Sequence, residues 1–331
     1  MDPISQGVLG GVAAQNRATP GTVTVATLCG VLGGLAPDLD ALIRSSHDPL
    51  LYLEFHRGFT HALVFIPVGA LLVSLALYPF VQSILSFTRT WCFCAVGYAT
   101  HGLLDACTSY GTQLLWPFSN ARVAWHTISI VDPLFTGPLM ALVALAAIRR
   151  RVFWSHVALL WVAIFVALGW SQRWRAEHHG LVLAESRGHQ PTRIEAKPSF
   201  GNLLVWKNIY EYDGRFYVDA IRLDTTVQIF PGTSIAKLEI KRDLPWLVAD
   251  TQQARDIERF RWFSSNYLAL DSRRKNFIVD MRYSMLPDEI EPLWGIQLDP
   301  RAERGDHVEF CWDRKVTASK RHRLLAMFKG G

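Results

Sequence analysis

The sequence predicts a polytopic membrane domain of four or five α-helical spans, followed by a soluble α+β domain that is rich in strands. Two observations lead to this fold class: half of the 331 residues are hydrophobic, and charge is distributed unevenly. Residues 1–170 contain eight Arg, no Lys and seven acidic residues, whereas the rest of the chain contains 26 basic and 22 acidic residues. Long apolar stretches with few charges are typical of membrane spans. We therefore expect a transmembrane domain over 1–170, a linker over 171–200 and a soluble domain over 201–331.

The individual spans follow from length. A helix needs about 20 apolar residues to cross the roughly 30 Å hydrocarbon core, where unpaired backbone groups are too costly. Four segments meet or approach that length, at 59–81, 91–115, 128–148 and 152–170. A shorter, glycine-rich stretch at 22–36 is the fifth candidate, and the weakly apolar 4–14 is its expected neighbour.

The orientation follows from the basic residues between spans. Three consecutive arginines at 149–151 separate the last two spans, and short basic loops stay in the cytoplasm. Alternation of sides then leaves five arginines inside and three outside. This bias predicts that the chain after residue 170 lies outside the cytoplasm.

The second half of the chain has the pattern of strands. Asp213-Gly214 separates two strand-like runs over 203–223, and this dipeptide accepts the positive φ angles of a tight hairpin turn. Further strands are expected at 277–283, 293–298 and 308–312. Apolar residues recur every three to four positions over 254–270, which predicts one amphipathic helix.

Three polar motifs interrupt the apolar half, and ionisable groups in such segments indicate function. The motifs place acidic and imidazole groups where predicted spans begin or end, on the same predicted side. Their residues are Asp38 and Asp40, His56 and His61, and His101 and Asp105. Three His and three Asp form a donor set suited to Zn²⁺, Mn²⁺ or Fe²⁺, and are sufficient for two ions.

Each motif alone also has a structural interpretation. An Asp-x-Asp sequence commonly caps a helix, a histidine at a span end is commonly interfacial, and His101 and Asp105 can form a simple interhelical hydrogen bond. Asp132 either supports a metal-bound histidine or caps the helix that follows it. The conjunction of the three motifs favours the metal site.

The motifs resemble one known family. They are Met1-Asp2-Pro3, Pro37-Asp38-Leu39-Asp40, His56-Arg57-Gly58-Phe59-Thr60-His61, His101 to Asp105 with Thr108 and Gly111, Trp116-Pro117-Phe118, and Ile130-Val131-Asp132-Pro133. Over about the first 150 residues they are similar to YdjM/YbcI-type inner-membrane proteins, which are described as candidate membrane-bound metal-dependent hydrolases. The resemblance implies the same six metal ligands and a bacterial inner membrane location. The C-terminal domain, expected outside the cytoplasm from the positive-inside rule, would then be periplasmic. Members often have a histidine in the first helix where this chain has Ser5-Gln6.

The resulting expectation is a metal-dependent hydrolase with one or two zinc or manganese ions, acting on a lipid or lipid-linked ester or phosphate at the outer face. Arg57 would stabilise developing negative charge, and Arg57 and Asp132 are the predicted catalytic residues. The non-enzymatic alternative is a membrane scaffold or transporter subunit whose His and Asp residues bind an ion structurally or relay protons. A metal-independent lipid phosphatase is disfavoured because Ala95 stands where that class needs an arginine.

The remaining partners follow from composition. The lipid bilayer is the expected partner of the apolar half, and a lipid is the expected substrate. Basic residues are interspersed with acidic ones, so no nucleic-acid partner is expected. The five cysteines have neither a disulfide-framework nor a zinc-finger spacing.

Overall fold

The computed structural model describes residues 1–313 and 317–330, which form two compact units. The N-terminal unit consists of Met1–Ile43, Phe55–Ser171 and Phe200–Asn202. The C-terminal unit consists of Arg44–Glu54, Gln172–Ser199 and Leu203–Gly331. A short internal segment, 44–54, therefore belongs to the C-terminal unit although the chain on both sides of it belongs to the N-terminal unit.

The first half of the chain is helical. Its α-helices are α1 Pro3–Asn16, α2 Val23–Leu35, α3 Leu51–Phe55, α4 Ile66–Val81, α5 Phe87–Ala106, α6 Pro133–Arg149 and α7 Phe153–Ser186. Short 3₁₀ turns, Ala36–Leu42, Phe59–His61 and Leu63–Phe65, lie between them. Helices α1 and α6 begin in the same way, with an Asp N-cap whose side chain accepts backbone N–H groups and a Pro at the first helical position.

Close packing of α1, α2 and α5 depends on glycine. A Cβ atom on Gly30 would lie 2.3 Å from the Gly10 carbonyl oxygen, and one on Gly97 would lie 2.3 Å from the Gly30 carbonyl oxygen. Small residues allow helix backbones to approach this closely, as in membrane helix pairs. The three helices are thereby packed backbone to backbone.

Three helical segments in the described part of the chain are long and apolar enough to cross a bilayer, namely Val23–Leu42, Leu63–Val81 and Phe153–Ser186. Pro133–Arg149 is apolar but shorter. The predicted count of four or five spans is thus not confirmed. The predicted span at 91–115 corresponds to α5, which ends at Ala106 and contains buried His101 and Asp105. The predicted span at 59–81 becomes a regular helix only at Ile66.

Helix α7 differs most from the sequence-based expectation. It has 34 residues and continues to Ser186, and strand β1 Arg193–Pro198 soon follows, so the predicted linker over 171–200 is mostly regular structure. A helix of that length measures about 51 Å, which exceeds the roughly 30 Å hydrocarbon core. The polar end of α7 therefore extends beyond the membrane, and the charges after Trp170 mark this exit and not the end of the helix.

The C-terminal unit contains two antiparallel sheets, as its alternating pattern predicts. The strands after β1 are β2 Val205–Tyr212, β3 Arg215–Leu223, β4 Val227–Phe230, β5 Ser234–Ala236, β6 Leu268–Leu270, β7 Phe277–Asp280, β8 Trp294–Gln297 and β9 Glu309–Trp312. The first sheet has the order β1-β2-β3-β4 with β5 also on β3, and the second has the order β6-β7-β8-β9. The predicted hairpin is confirmed as β2 and β3, with positive φ at Asp213 and Gly214.

Three further helices complete this unit: α8 Ile240–Asp243, α9 Gln252–Phe263 and α10 Ala318–Lys329. The helix predicted over 254–270 is α9, but it ends at Phe263 because Ser265 and Asn266 adopt positive φ. Residues 268–270 instead form β6. The buried core of the unit includes Ile209 and Phe216 from the first sheet and Phe277 and Val279 from the second.

Candidate metal centre

The six histidine and aspartate side chains predicted as ligands all lie at a helix end or in an adjoining turn. In chain order they are Asp38 and Asp40 in the 3₁₀ turn after α2, His56 just after α3, His61 in the turn Phe59–His61, and His101 and Asp105 in the last two turns of α5. Pro37 has no backbone N–H, which suits the first residues of a new turn. Helix α2 accordingly continues there as a 3₁₀ turn.

Four of the six side chains converge on one point. The Nε2 atoms of His61 and His101 are 2.9 Å apart. Asp38 Oδ1 lies 3.5 Å from the first and 3.4 Å from the second of these nitrogens. Asp105 Oδ2 lies 3.3 Å and 3.6 Å from the same two nitrogens. Two oxygens and two nitrogens therefore face one another across a space of atomic size.

This group of four is buried except at one member. The side chains of His61, His101 and Asp105 are fully buried, whereas 25% of the Asp38 side chain is exposed. Access to the four atoms from outside the N-terminal unit is thus at the Asp38 side.

The hydrogen bonds of the two imidazoles fix their tautomers. His101 Nδ1 is 2.5 Å from the Gly34 carbonyl oxygen, which can only accept, so Nδ1 has the proton. His61 Nδ1 is 3.2 Å from Asp40 Oδ2 and 3.0 Å from Thr60 Oγ1. The Thr60 hydroxyl donates to Asp40 Oδ2 at 2.8 Å, so its oxygen accepts from His61 Nδ1–H. In both neutral rings, Nε2 therefore directs a lone pair at the shared point.

These residues fit a divalent metal ion. Four lone-pair atoms converge, and such atoms repel one another unless a cation or protons lie between them. Metal–nitrogen and metal–oxygen bonds of a tetrahedral zinc site imply distances of about 3.4 Å between neighbouring ligand atoms. The five distances given above, from 2.9 to 3.6 Å, lie close to this value. The donor set of Asp38, His61, His101 and Asp105 could hold such an ion.

The remaining two predicted ligands, Asp40 and His56, lie next to this group. Asp40 Oδ1 is 2.8 Å from His56 Nδ1, while Asp40 Oδ2 accepts from the Arg57 backbone N–H at 3.0 Å. The Asp40 side chain is fully buried, and 14% of the His56 side chain is exposed. Asp38, Asp40 and His56 form a second group with metal-ligand spacing, which shares Asp38 with the first.

Arg57 is a cation at the edge of the centre. Its Nε lies 3.0 Å from Asp105 Oδ2, and its NH1 group donates to Thr108 Oγ1 at 2.8 Å. The residue is buried and has a φ of 63°, which is uncommon for a residue with a side chain. The guanidinium also lies over the Tyr110 ring, 4.7 Å from its centroid. Contacts on several sides therefore hold the guanidinium beside Asp105.

Asp105 has further partners that the sequence did not indicate. Gln6 Nε2 donates to Asp105 Oδ1 at 2.7 Å, and the Met1 amino group contacts the same oxygen. Gln6 thus contacts a carboxylate of the four-donor group. Thr60, Thr108 and Gly34 were also missed as partners; Thr60 and Thr108 lie within the motifs, but nothing in the sequence indicated Gly34.

The predicted catalytic residue Asp132 has a different environment. Its Oδ1 accepts from the backbone N–H groups of Leu134 and Phe135 at 3.1 and 3.3 Å. It is therefore the N-cap of α6, which is the structural interpretation of this residue. The catalytic role predicted for Asp132 has no support from these contacts.

Comparison with known proteins places the helical half in a family. The family model described as YdjM inner membrane protein matches residues 1–176. The chain is 30% identical over 141 residues to the uncharacterized protein YfhP of Bacillus subtilis (strain 168), covering 40% of this chain and 42% of YfhP. It is 34% identical over 105 residues to the inner membrane protein YbcI of Escherichia coli (strain K12), covering 30% of this chain and 60% of YbcI.

These matches leave part of each relative unmatched, since the chain spans about two fifths and three fifths of their lengths. No solved structure matches the chain. The family match covers more than half of the chain, including all six predicted ligands, and agrees with the apolar helices. This chain is a membrane protein that belongs to the YdjM inner membrane protein family.

Proposed function

We propose that this protein is a metal-dependent hydrolase of a lipid or lipid-linked ester or phosphate at the membrane surface. The observation that supports this most directly is the convergence of two imidazole nitrogens and two carboxylate oxygens, spaced as ligands of one divalent ion. Asp38, His61, His101 and Asp105 are the proposed ligands. Zinc or manganese suits this donor set.

A bound divalent ion would supply a Lewis acid that polarises a carbonyl or phosphoryl oxygen and makes a water molecule more acidic. The protein's own contribution begins with orientation. Gly34 and the Asp40–Thr60 pair hold the Nδ1 protons of His101 and His61, so that both rings keep a fixed direction. Such partners commonly raise metal affinity by roughly 10- to 100-fold.

Arg57 is proposed to stabilise negative charge that develops on the substrate. Its guanidinium is held against Asp105 and Thr108 and lies at the edge of the four-donor group. A fixed cation in a buried site needs little reorganisation during the reaction, which is the main advantage of such groups. This extends the role expected for Arg57 from its motif.

Proton movement is proposed for Asp40 and His56. Asp40 lies between His61 Nδ1 and His56 Nδ1, at 3.2 and 2.8 Å, and His56 is the more exposed of the two imidazoles. Asp40 is thus the carboxylate best placed to pass a proton from the buried group towards a partly exposed imidazole.

The proposed substrate class rests on where the site lies in the chain. The donors are at the ends of apolar helices, and the exposed part of the group is at Asp38, within the candidate span Val23–Leu42. A substrate with an apolar tail in the bilayer would present its polar ester or phosphate at such a depth. By the positive-inside rule, we further propose that the site faces the outer side of the bacterial inner membrane and that the C-terminal domain is periplasmic.

Metal content provides the first test. Full-length protein purified in detergent would be analysed by elemental mass spectrometry, with His61→Ala/His101→Ala as the variant and His156→Ala as a histidine control. His156 lies in α7 and is not among the donors. We expect one or two zinc or manganese ions per wild-type and control chain and none in the double variant. Absence of stoichiometric metal from reconstituted wild type would overturn the proposal. If the metal is present in wild type and lost in the double variant, hydrolysis of lipid phosphates would be tested next.

A second candidate function is a non-enzymatic membrane protein with a structural ion. It is favoured by the number of donors, because four protein ligands can close a tetrahedral site, whereas catalytic zinc keeps an open position. The absorption spectrum of the Co²⁺-substituted protein would separate the two. A spectrum of higher coordination that changes on addition of phosphate supports the hydrolase, while an intense tetrahedral spectrum that is insensitive to phosphate supports the structural ion.

A further inference from the structure

One short segment joins two of the three metal-binding motifs. We refer to residues 44–54 as the connecting segment, because they separate Asp40 from His56 along the chain. The segment belongs to the C-terminal unit, whereas the chain up to Ile43 and from Phe55 belongs to the N-terminal unit. The conformation of the segment therefore depends on its contacts within the C-terminal unit.

Arg259 of α9 makes polar contacts with this segment. Its NH1 and NH2 groups donate to the two carboxylate oxygens of Asp48 at 3.0 and 2.7 Å, and its Nε donates to Glu54 Oε1 at 2.6 Å. Asp48 lies near the middle of the segment, and Glu54 is its last residue. A single guanidinium thus binds the connecting segment at two places, once in the bidentate geometry that is the strongest for this pair.

Arg259 is itself held by the C-terminal unit. Its NH1 group also donates to Asp256 Oδ1 at 2.9 Å. Asp256 is fully buried, and its other oxygen accepts from the Val308 backbone N–H at 3.1 Å and lies 2.9 Å from His307 Nδ1. A buried carboxylate of the same helix therefore holds the guanidinium in the position from which it contacts the segment.

The contacts are partly shielded from water. The exposed side-chain fractions are 19% for Arg259, 24% for Asp48 and 35% for Glu54. Burial raises the pKa of Asp48, but hydrogen bonds from Arg259 and from the Leu50 N–H outweigh it and lower that pKa overall. Leu50 and Leu53 of the same segment are also buried. The segment is consequently anchored by apolar burial and by one cation in contact with two of its carboxylates.

We propose that Arg259 is a positioning residue for the metal centre, which raises metal affinity by keeping the chain between Asp40 and His56 ordered. The inference rests on the proposed metal site. Asp38 and Asp40 lie a few residues before the connecting segment, and His56 lies two residues after Glu54. A fixed segment keeps the residues on both sides of it ordered before the metal binds. A mobile segment would have to be ordered during binding, which costs binding free energy.

The test uses the full-length protein in detergent and Co²⁺ as the probe. Affinity would be measured by competition with a chromophoric chelator, and coordination by the visible absorption spectrum. In Arg259→Met we expect roughly tenfold weaker Co²⁺ binding, because the segment must then be ordered when the metal binds, together with a changed spectrum. Arg255→Met is the matched control, because Arg255 lies one turn earlier on α9, is exposed, and donates to Gln252.

Two further variants separate positioning from loss of folding. Asp48→Asn/Glu54→Gln removes the two negative charges of the segment without changing the size of its side chains, and we expect it to reproduce the weaker binding. Arg259→Lys keeps a cation beside Asp48, Glu54 and Asp256, and we expect it to retain part of the affinity that Arg259→Met loses. Wild-type affinity and spectrum in Asp48→Asn/Glu54→Gln would overturn the inference and leave the metal site intact. Failure of wild type to bind Co²⁺ would overturn both the inference and the proposed function.

Discussion

His56 and His61 belong to the same motif but have different surroundings. His61 Nε2 is 2.9 Å from His101 Nε2, whereas His56 Nδ1 pairs with Asp40. We therefore predict that His61→Ala abolishes stoichiometric metal binding, while His56→Ala retains at least one ion with lower affinity. Elemental analysis and Co²⁺ titration of the two variants would check this. Equal losses in both would contradict the division into an inner and an outer histidine.

The candidate ligands could be predicted from sequence because charged side chains are rare in an apolar half. Their division into four converging donors and two neighbouring ones could not be predicted, because it depends on the distances between side-chain atoms and on the tautomer of each imidazole. Gly34 illustrates the limit, since it binds His101 through its backbone carbonyl, and a carbonyl has no sequence signature. Gln6 could be placed only once α1 was seen beside Asp105.

A buried lysine in the C-terminal unit leads to a pH prediction. Burial, with repulsion from Lys197 across the β1–β2 pair, lowers the pKa of Lys207 to about 7 from its ordinary 10.5. Between these values the unfolded state binds the proton and the folded state does not. Stability should therefore rise with pH from about 7 towards 10.5, by up to about 1.4 kcal/mol per pH unit for one proton.

The measurement is hydrogen exchange of the β2 and β3 amides between about pH 6.5 and about pH 9, corrected for the intrinsic exchange rates. Lys207→Met should reduce the rise in opening free energy, and Lys197, whose pKa burial also lowers, should account for part of the rise that remains. Lys241→Met, which alters an exposed lysine in α8, should keep it. A slope that is unchanged in Lys207→Met would assign the pH dependence to other groups.

At the scale of the elements, the contact of α1 with α2 leaves no room for a larger side chain at Gly30. A Cβ atom on Gly30 would lie 2.3 Å from the Gly10 carbonyl oxygen and 2.5 Å from Ala14 Cβ. We predict that Gly30→Ala destabilises the helical unit by about 1–3 kcal/mol, as overpacking does, and lowers metal occupancy because α1 and α2 must separate. Thermal unfolding in detergent and metal analysis would show both effects.

The matched control is Gly137→Ala in α6, where an added Cβ would meet no atom within 4 Å. That change should be neutral or slightly stabilising, since alanine favours a helix more than glycine does. A similar loss of stability in both variants would show that the loss in Gly30→Ala does not come from the α1–α2 contact.

Element types were easier to predict than element ends. The β2–β3 hairpin follows from Asp213-Gly214, a local signal that decides its own conformation. Helix α7 extends past Trp170 because a helix can continue from lipid into water, and a change in composition marks the membrane exit only. Helix α9 ends early at Phe263 because two residues adopt positive φ, which apolar periodicity does not encode.

At the scale of the whole molecule, the assignment of residues 44–54 to the C-terminal unit was not predictable. It depends on contacts between α9 and a segment more than 200 positions earlier in the chain, such as Arg259 with Asp48 at a separation of 211. Sequence periodicity reports local structure and says little about such distant pairs. Charge predicts a domain boundary near residue 170, but it gives no indication that residues 44–54 belong to the C-terminal unit.

The orientation of the molecule remains a prediction, and it decides which compartment the proposed substrate comes from. Arg149 ends α6 and Phe153 begins α7, so the basic 149–151 cluster lies in a very short loop that the positive-inside rule assigns to the cytoplasm. Because α7 crosses once, the C-terminal domain should lie in the periplasm.

Cysteine labelling tests this orientation. We predict that Asp250→Cys, at a residue whose side chain is 73% exposed, reacts with a membrane-impermeant maleimide in intact spheroplasts, in a background with the five native cysteines replaced. Arg150→Cys, exposed in the 149–151 cluster, should react only after the membrane is permeabilised. The reverse labelling pattern would place the C-terminal domain in the cytoplasm, and the proposed substrate would then be sought in the inner leaflet.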